Sequence, residues 1–133
     1  MEIRGLVPLL EVFNMPAAID FYQRVLQFEL VETAGPPEDI GWALLRRNGI
    51  ELMLNTAYEA TERPVNPDPA RVAAHSDTTL YFGCPDVDAA YAQLRAQGLD
   101  SARPVVAHYG MKQLYVRDPD GYSVCFQWPA NGL

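Results

Sequence analysis

Short apolar runs of strand length alternate along this chain with stretches of helical period, and the order in which they come is used twice. Leu6 to Phe13 is apolar and bounded by Gly5 and Asn14, which predicts a buried strand. Asn14 then offers a capping acceptor and Pro16 a preset φ, so a helix begins there, with Ala18, Phe21, Tyr22, Val25 and Leu26 along one face. Phe28 to Thr33 reads as a second strand, and Gly35-Pro36-Pro37 forces an irregular loop. Trp42 to Arg47, the Asn48-Gly49 turn and Ile50 to Asn55 make a hairpin of type I′. Thr56 to Ser76 carries Pro64, Pro67 and Pro69 and has no period, so it reads as a linker with one short helical turn near Ala70 to Ala74. Thr78 to Cys84 is again a strand, and Asp86 opens a helix with Val87, Ala90, Tyr91 and Leu94 on one face, ended by Gly98. Strands near Ala102 to Val106 and over Met111 to Arg117 precede the Asp120-Gly121 turn and a last strand, Tyr122 to Trp128.

An offset of 72 residues relates the two halves: Asn14 matches Asp86, Ala17-Ala18 matches Ala89-Ala90, and Asn48-Gly49 matches Asp120-Gly121. The expected class is therefore α+β, two βαβββ modules related by an internal repeat. Residues 1–133 form one domain, with module one at 1–56, a linker at 57–76 and module two at 77–133.

Composition narrows the partners. With 49% hydrophobic and 20% charged residues the chain can bury a core without staples, and a net charge of −7 repels nucleic acid and anionic membranes. The same field favours a cationic ligand, or serves solubility alone. No apolar run approaches the ~20 residues that span a bilayer, and the start of the chain has no leader pattern, so a cytoplasmic protein is expected. Cys84 and Cys125 form no CxxC pair, which argues against a zinc knuckle or a disulfide framework.

Val7-Pro8-Leu9-Leu10 followed by Phe21-Tyr22, and Arg117-Asp118-Pro119-Asp120-Gly121 before a final strand, resemble the opening and closing signatures of the vicinal oxygen chelate superfamily. That superfamily includes glyoxalase I, extradiol dioxygenases, fosfomycin-resistance enzymes and bleomycin-resistance proteins. The resemblance implies a half-barrel cavity walled by both sheets, often completed by a homodimer. It also implies that the metal-ligand positions of metal-bearing members fall on Val7, Thr79 and Cys125, with Met53 or its same-face neighbour Glu51 as the fourth. Valine has no donor, threonine is a feeble neutral ligand, and a thioether suits Cu(I); Cys125 and Glu51 together fall short of the three protein ligands usual in catalytic zinc sites. The expectation is a small-molecule-binding protein most similar to bleomycin-resistance members, with no metal and no cofactor. Its rival is a metal-dependent lyase, isomerase or dioxygenase using Glu51 and Cys125, and a third reading is a scaffold whose cavity is filled by Leu9, Tyr81 and Met53.

Strand alternation then sorts the candidates. If Val7 and Thr79 face the cavity, so do Leu9, Glu11 and Tyr81, while Pro8, Leu10, Val12, Leu80, Phe82 and Cys84 lie beneath the helices; Cys84 and Cys125 fall on opposite faces. Glu11 and Glu51 either hold a cationic or hydrogen-bond-donating ligand, with a general-base role open to Glu51, or pair with Arg or Lys across the sheet, or are covered by a dimer partner. Trp42, Tyr115 and Trp128 offer aromatic faces, and one or two of them are expected at the ligand. The expected ligand-binding set is Glu11, Trp42, Glu51, Met53, Thr79, Tyr81, Tyr115 and Cys125. His75 reads as a solvated linker residue and His108 as exposed or at the cavity rim.

Overall fold

The computed structural model describes residues 1–132. The chain divides into two compact units, Met1–Pro67 and the part from Asp68 onward, and each is a four-stranded mixed sheet with accompanying helices. In module one the strands β1 (Leu9–Val12), β2 (Glu29–Ala34), β3 (Trp42–Arg47) and β4 (Ile50–Thr56) take the order β1-β4-β3-β2, with β1 parallel to β4. In module two β5 (Thr79–Gly83), β6 (Val105–Val106), β7 (Met111–Arg117) and β8 (Ser123–Pro129) take the order β5-β8-β7-β6, with β5 parallel to β8. The two modules thus share one topology, and the α+β class stands.

The repeat extends to register. Leu9 pairs with Met53, and their counterparts 72 residues on, Tyr81 and Cys125, pair in the same way. The hairpins differ by one residue. Arg46 pairs with Glu51 across four intervening residues, whereas Arg117 pairs with Ser123 across five. Consequently Leu44, opposite Met53, corresponds to Tyr115, opposite Cys125, at an offset of 71. The turns differ in kind as well. Asn48 and Gly49 both have positive φ (49° and 79°), as type I′ demands. In module two only Gly121 does, and the Asp118 carboxylate accepts from the backbone N–H groups of Asp120 and Tyr122, each at 2.9 Å.

Most strand ends differ from expectation by one residue, and three elements differ by more. The first strand begins at Leu9, not Leu6, because Pro8 has no N–H for the ladder, although its carbonyl still accepts from Met53. The expected Ala102–Val106 strand shrinks to Val105–Val106, and Pro104 immediately before it supplies the same reason. The first helix, α1 (Met15–Asp20), is capped by the Asn14 side chain as expected but continues as a π-helical turn over Phe21–Val25. Its Ala18, Phe21, Tyr22, Val25 and Leu26 are all buried, and α1 packs against β4.

Helix α2 (Pro69–Ala74), capped by Asp68, and the 3-10 turn His75–Asp77 belong to module two. His75 is no solvated linker residue: its ring stacks on Tyr122 at 3.9 Å and 9°, and its Nδ1 lies 2.7 Å from the Asp120 carbonyl oxygen. Arg71 meets the buried Asp120 carboxylate at 3.4 Å. Linker composition hid these contacts, since none depends on hydrophobic period. Helix α3 (Val87–Ala96), capped by Asp86, packs on β7 and β8 with Val87 and Leu94 buried.

Candidate functional site

Residues paired across strands share a sheet face, so register decides what each module presents on the side away from its helices. In module one Leu10, Val12, Ala43, Leu45, Leu52 and Leu54 are buried on the helix side, and the alternate positions form the open face. One row across it runs Glu11, Asn55, Trp42 on β1, β4 and β3; a second runs Leu9, Met53, Leu44. Leu9 is 43% exposed, so this face is not sealed. The Asn55 amide donates to the Glu11 carboxylate at 3.4 Å. Beyond the apolar row, Glu51 is held by Arg46 at 2.7 Å, the cross-sheet pairing that was one of its three expected fates.

Module two presents a different surface. Tyr81 on β5, Cys125 on β8 and Tyr115 on β7 lie in one row, and the two phenol oxygens meet at 2.9 Å with the rings edge to face at 6.2 Å and 81°. Cys125 between them is fully buried, and burial pushes its thiol upward despite a hydrogen bond from Tyr115. Tyr115 is itself held above the ordinary phenol range, first by its hydrogen bond with Tyr81 and then by desolvation. The next row holds Gln113 and Gln127, joined at 2.9 Å, with Gln113 also donating to the Tyr109 hydroxyl at 2.8 Å. Thr79 pairs with Ser123 at the start of β5 and is half-buried. Tyr109 and the two glutamines were absent from the expected set; Gln113 and Gln127 were legible from strand alternation once Tyr115 and Cys125 had been chosen.

The structure therefore brings Glu11, Trp42, Met53 and Glu51 to one open face and Thr79, Tyr81, Tyr115 and Cys125 to the other. Trp128, next to Gln127 on β8, lays its ring against Gly83, 3.5 Å from where a Cβ there would lie. His108 is exposed, edge-on to Tyr109 at 5.0 Å. Cys84 and Cys125 are free thiols.

Two βαβββ modules of one topology define a fold class, and the comparisons identify it. A model of the Glyoxalase/Bleomycin resistance protein/Dioxygenase superfamily matches residues 8–126, so the chain belongs to that superfamily. Among solved structures it is similar to TioX from Micromonospora sp. ML1 (TM-score 0.73, 22% identity, covering 93% of this chain and 97% of that one). It is similar also to TnmS3, an antibiotic binding protein from Streptomyces sp. CB03234 (TM-score 0.70, 23% identity, 97% and 98% covered). A bleomycin resistance determinant encoded on the transposon Tn5 gives TM-score 0.71 at 19% identity, with 96% and 98% covered. These identities establish the fold. No curated protein sequence matches the chain.

The divalent metal of the family's metal-bearing members does not fit the residues here. Val7 and Met53 supply no suitable donor and Thr79 only a neutral hydroxyl, which leaves Glu51, paired with Arg46, and Cys125, short of the three protein ligands usual in catalytic zinc sites. Among the described residues no group of three or more His, Cys, Asp or Glu is gathered to hold an ion. Among them, too, no helix is long and apolar enough to cross a membrane.

Proposed function

We propose that the protein binds a small molecule bearing a cationic group and does so without a metal, in the manner of drug-sequestering members of its superfamily. The observation that carries this reading is the row Glu11–Asn55–Trp42 on the open face of module one. It sets a carboxylate, an amide and an indole face side by side. A carboxylate and an aromatic face together suit an ammonium or guanidinium better than either does alone. The apolar row Leu9–Met53–Leu44 beside it would take the ligand's hydrocarbon part. The antibiotic binding and bleomycin resistance described for two structural neighbours agree with this reading. Metal-independent binding by a cytoplasmic homodimer is part of the same proposal.

The test is calorimetric titration with metal-free bleomycin, a cationic glycopeptide, in the presence of a chelator. Micromolar or tighter binding is expected, weakened about tenfold by Glu11→Gln, the ~1.4 kcal/mol of one charge-assisted contact. Binding that requires added Zn or Mn, or no binding at all, sinks the proposal.

A further inference from the structure

The Gln113–Gln127 pair on the open face of module two has hydrogen-bonding capacity left over. Gln113 Nε2 lies 2.9 Å from Gln127 Oε1 and 2.8 Å from the Tyr109 hydroxyl oxygen, which engages both of its protons. The Gln113 carboxamide oxygen and the Gln127 NH2 group then remain. Turning over one carboxamide alone would set oxygen against oxygen, or nitrogen against nitrogen, across the 2.9 Å contact. Turning over both keeps every contact, with Tyr109 as the donor, and leaves the Gln127 oxygen and the Gln113 NH2 group instead. In either orientation the pair keeps one free carboxamide oxygen and one free NH2 group.

Neither glutamine has another partner among the described residues, and the side-chain atoms there that are buried without a partner are Arg63 Nε and Ser101 Oγ. The spare oxygen and NH2 group are therefore open to a ligand. Their surroundings are uncharged and aromatic. The rows Gly83–Gln127–Gln113 and Tyr81–Cys125–Tyr115 contain no carboxylate and no cationic side chain. Tyr109, whose hydroxyl touches Gln113, and Tyr115, two residues along β7 on the same face, are 59% and 45% exposed, so ring surface lies beside the carboxamides.

We infer that the Gln113–Gln127 pair is a recognition site for the amide group of an uncharged aromatic ligand, a lactam or a ring carboxamide. The ligand N–H donates to the free carboxamide oxygen, its carbonyl accepts from the free NH2 group, and its ring rests on the tyrosine surface. A ketone would leave the free oxygen without a donor, and an ion would find no counter-charge in these rows; a neutral amide meets both groups at once. This deepens the ligand-binding proposal above and rests on it for the open faces being where ligand binds.

The probes are 2-quinolone, whose lactam carries N–H and C=O on one edge, and 1-methyl-2-quinolone, which keeps ring and carbonyl and loses the N–H. Titrated into the full chain and followed by probe fluorescence, 2-quinolone is expected to bind about tenfold tighter, since the methylated probe leaves the carboxamide oxygen unmet. Gln127→Met, at a partly exposed position, removes one of the two contacts in either orientation and should weaken 2-quinolone about fivefold without lowering the unfolding temperature. Gln113→Met and Gln127→Met together should bring the two probes to equal affinity; Gln127→Met decides alone if the double variant fails to fold. Equal affinity of the two probes for the unaltered protein, binding of neither, or undiminished 2-quinolone affinity in Gln127→Met overturns the inference. Both probes are uncharged, so Glu11→Gln should leave their ratio unchanged. Absent bleomycin binding with the quinolone preference intact removes the first proposal alone, and bleomycin binding without that preference removes this one alone.

Discussion

Module one and module two share a topology and a strand register yet differ in what they do with both sheet faces. On the helix side both modules bury a central set, Leu10, Leu45, Leu52 and Leu54 in one and Leu114, Val116 and Val124 in the other, but Leu80, Phe82 and Phe126 of module two stay partly exposed. On the open side, Leu9–Met53–Leu44 becomes Tyr81–Cys125–Tyr115 in the same three strand positions, and Glu11–Asn55–Trp42 gives way to neutral glutamines. The turns complete the contrast: module one closes its hairpin with a free-standing type I′ turn, module two with a buried Asx-stabilised turn locked by α2. A shared backbone therefore fixes where side chains point but not what chemistry they offer.

The contrast is open to direct attack. The largest effect is expected in the core. Leu54→Ala should cost about 3 kcal/mol in urea denaturation, because its site is fully enclosed, while the same deletion at the partly exposed Leu80 of module two should cost about 1 kcal/mol. Equal costs would abolish the difference in packing between the modules. Next come the two turn glycines. A Cβ on Gly121 would run into the Val72 carbonyl oxygen and lie 2.9 Å from its Cγ1, on top of a φ of +86°. Gly49 has φ +79° and nothing within 4 Å. Thermal unfolding should therefore place Gly121→Ala roughly 2–3 kcal/mol below the parent and Gly49→Ala only about 1 kcal/mol below it. A Gly121→Ala cost no greater than that of Gly49→Ala would mean that α2 does not lock this turn. The smallest effect belongs to the partly exposed Arg46–Glu51 pair, where Arg46→Gln should cost under about 0.5 kcal/mol, shrinking further at high salt. A larger, salt-insensitive loss would show that the pair is structural rather than a surface contact.

Much of this was legible in the sequence, for reasons that can be named. β3 and β7 have the expected boundaries because each is fenced by a turn at one end and an irregular loop at the other. The caps at Asn14 and Asp86 act through side chains whose position in the sequence is their signature. The constant offset of 72 survives in the β1–β4 and β5–β8 pairings, so alternation grouped Leu9 with Glu11 and Thr79 with Tyr81, while the family resemblance supplied which face is the open one. The π turn at Phe21–Val25 was not legible, since apolar spacing within one turn is nearly the same for α and π geometry. Nor was the His75–Tyr122 stack, which joins residues 47 apart through a single ring contact that no periodic pattern encodes. The Glu51–Arg46 pairing was one of several open alternatives, and only the register of β3 on β4 selects it.

The extra hairpin residue of module two has a consequence for anyone building chimeras from the two halves. Because β7 corresponds to β3 at an offset of 71 while β5 and β8 keep 72, a graft of the Trp42–Arg47 segment into module two has to begin at Gln113. Begun at Leu114, where the repeat spacing of the flanking strands would put it, the same six residues would enter inside out, with Ala43 and Leu45 turned to the ligand side and Trp42 driven under the helix.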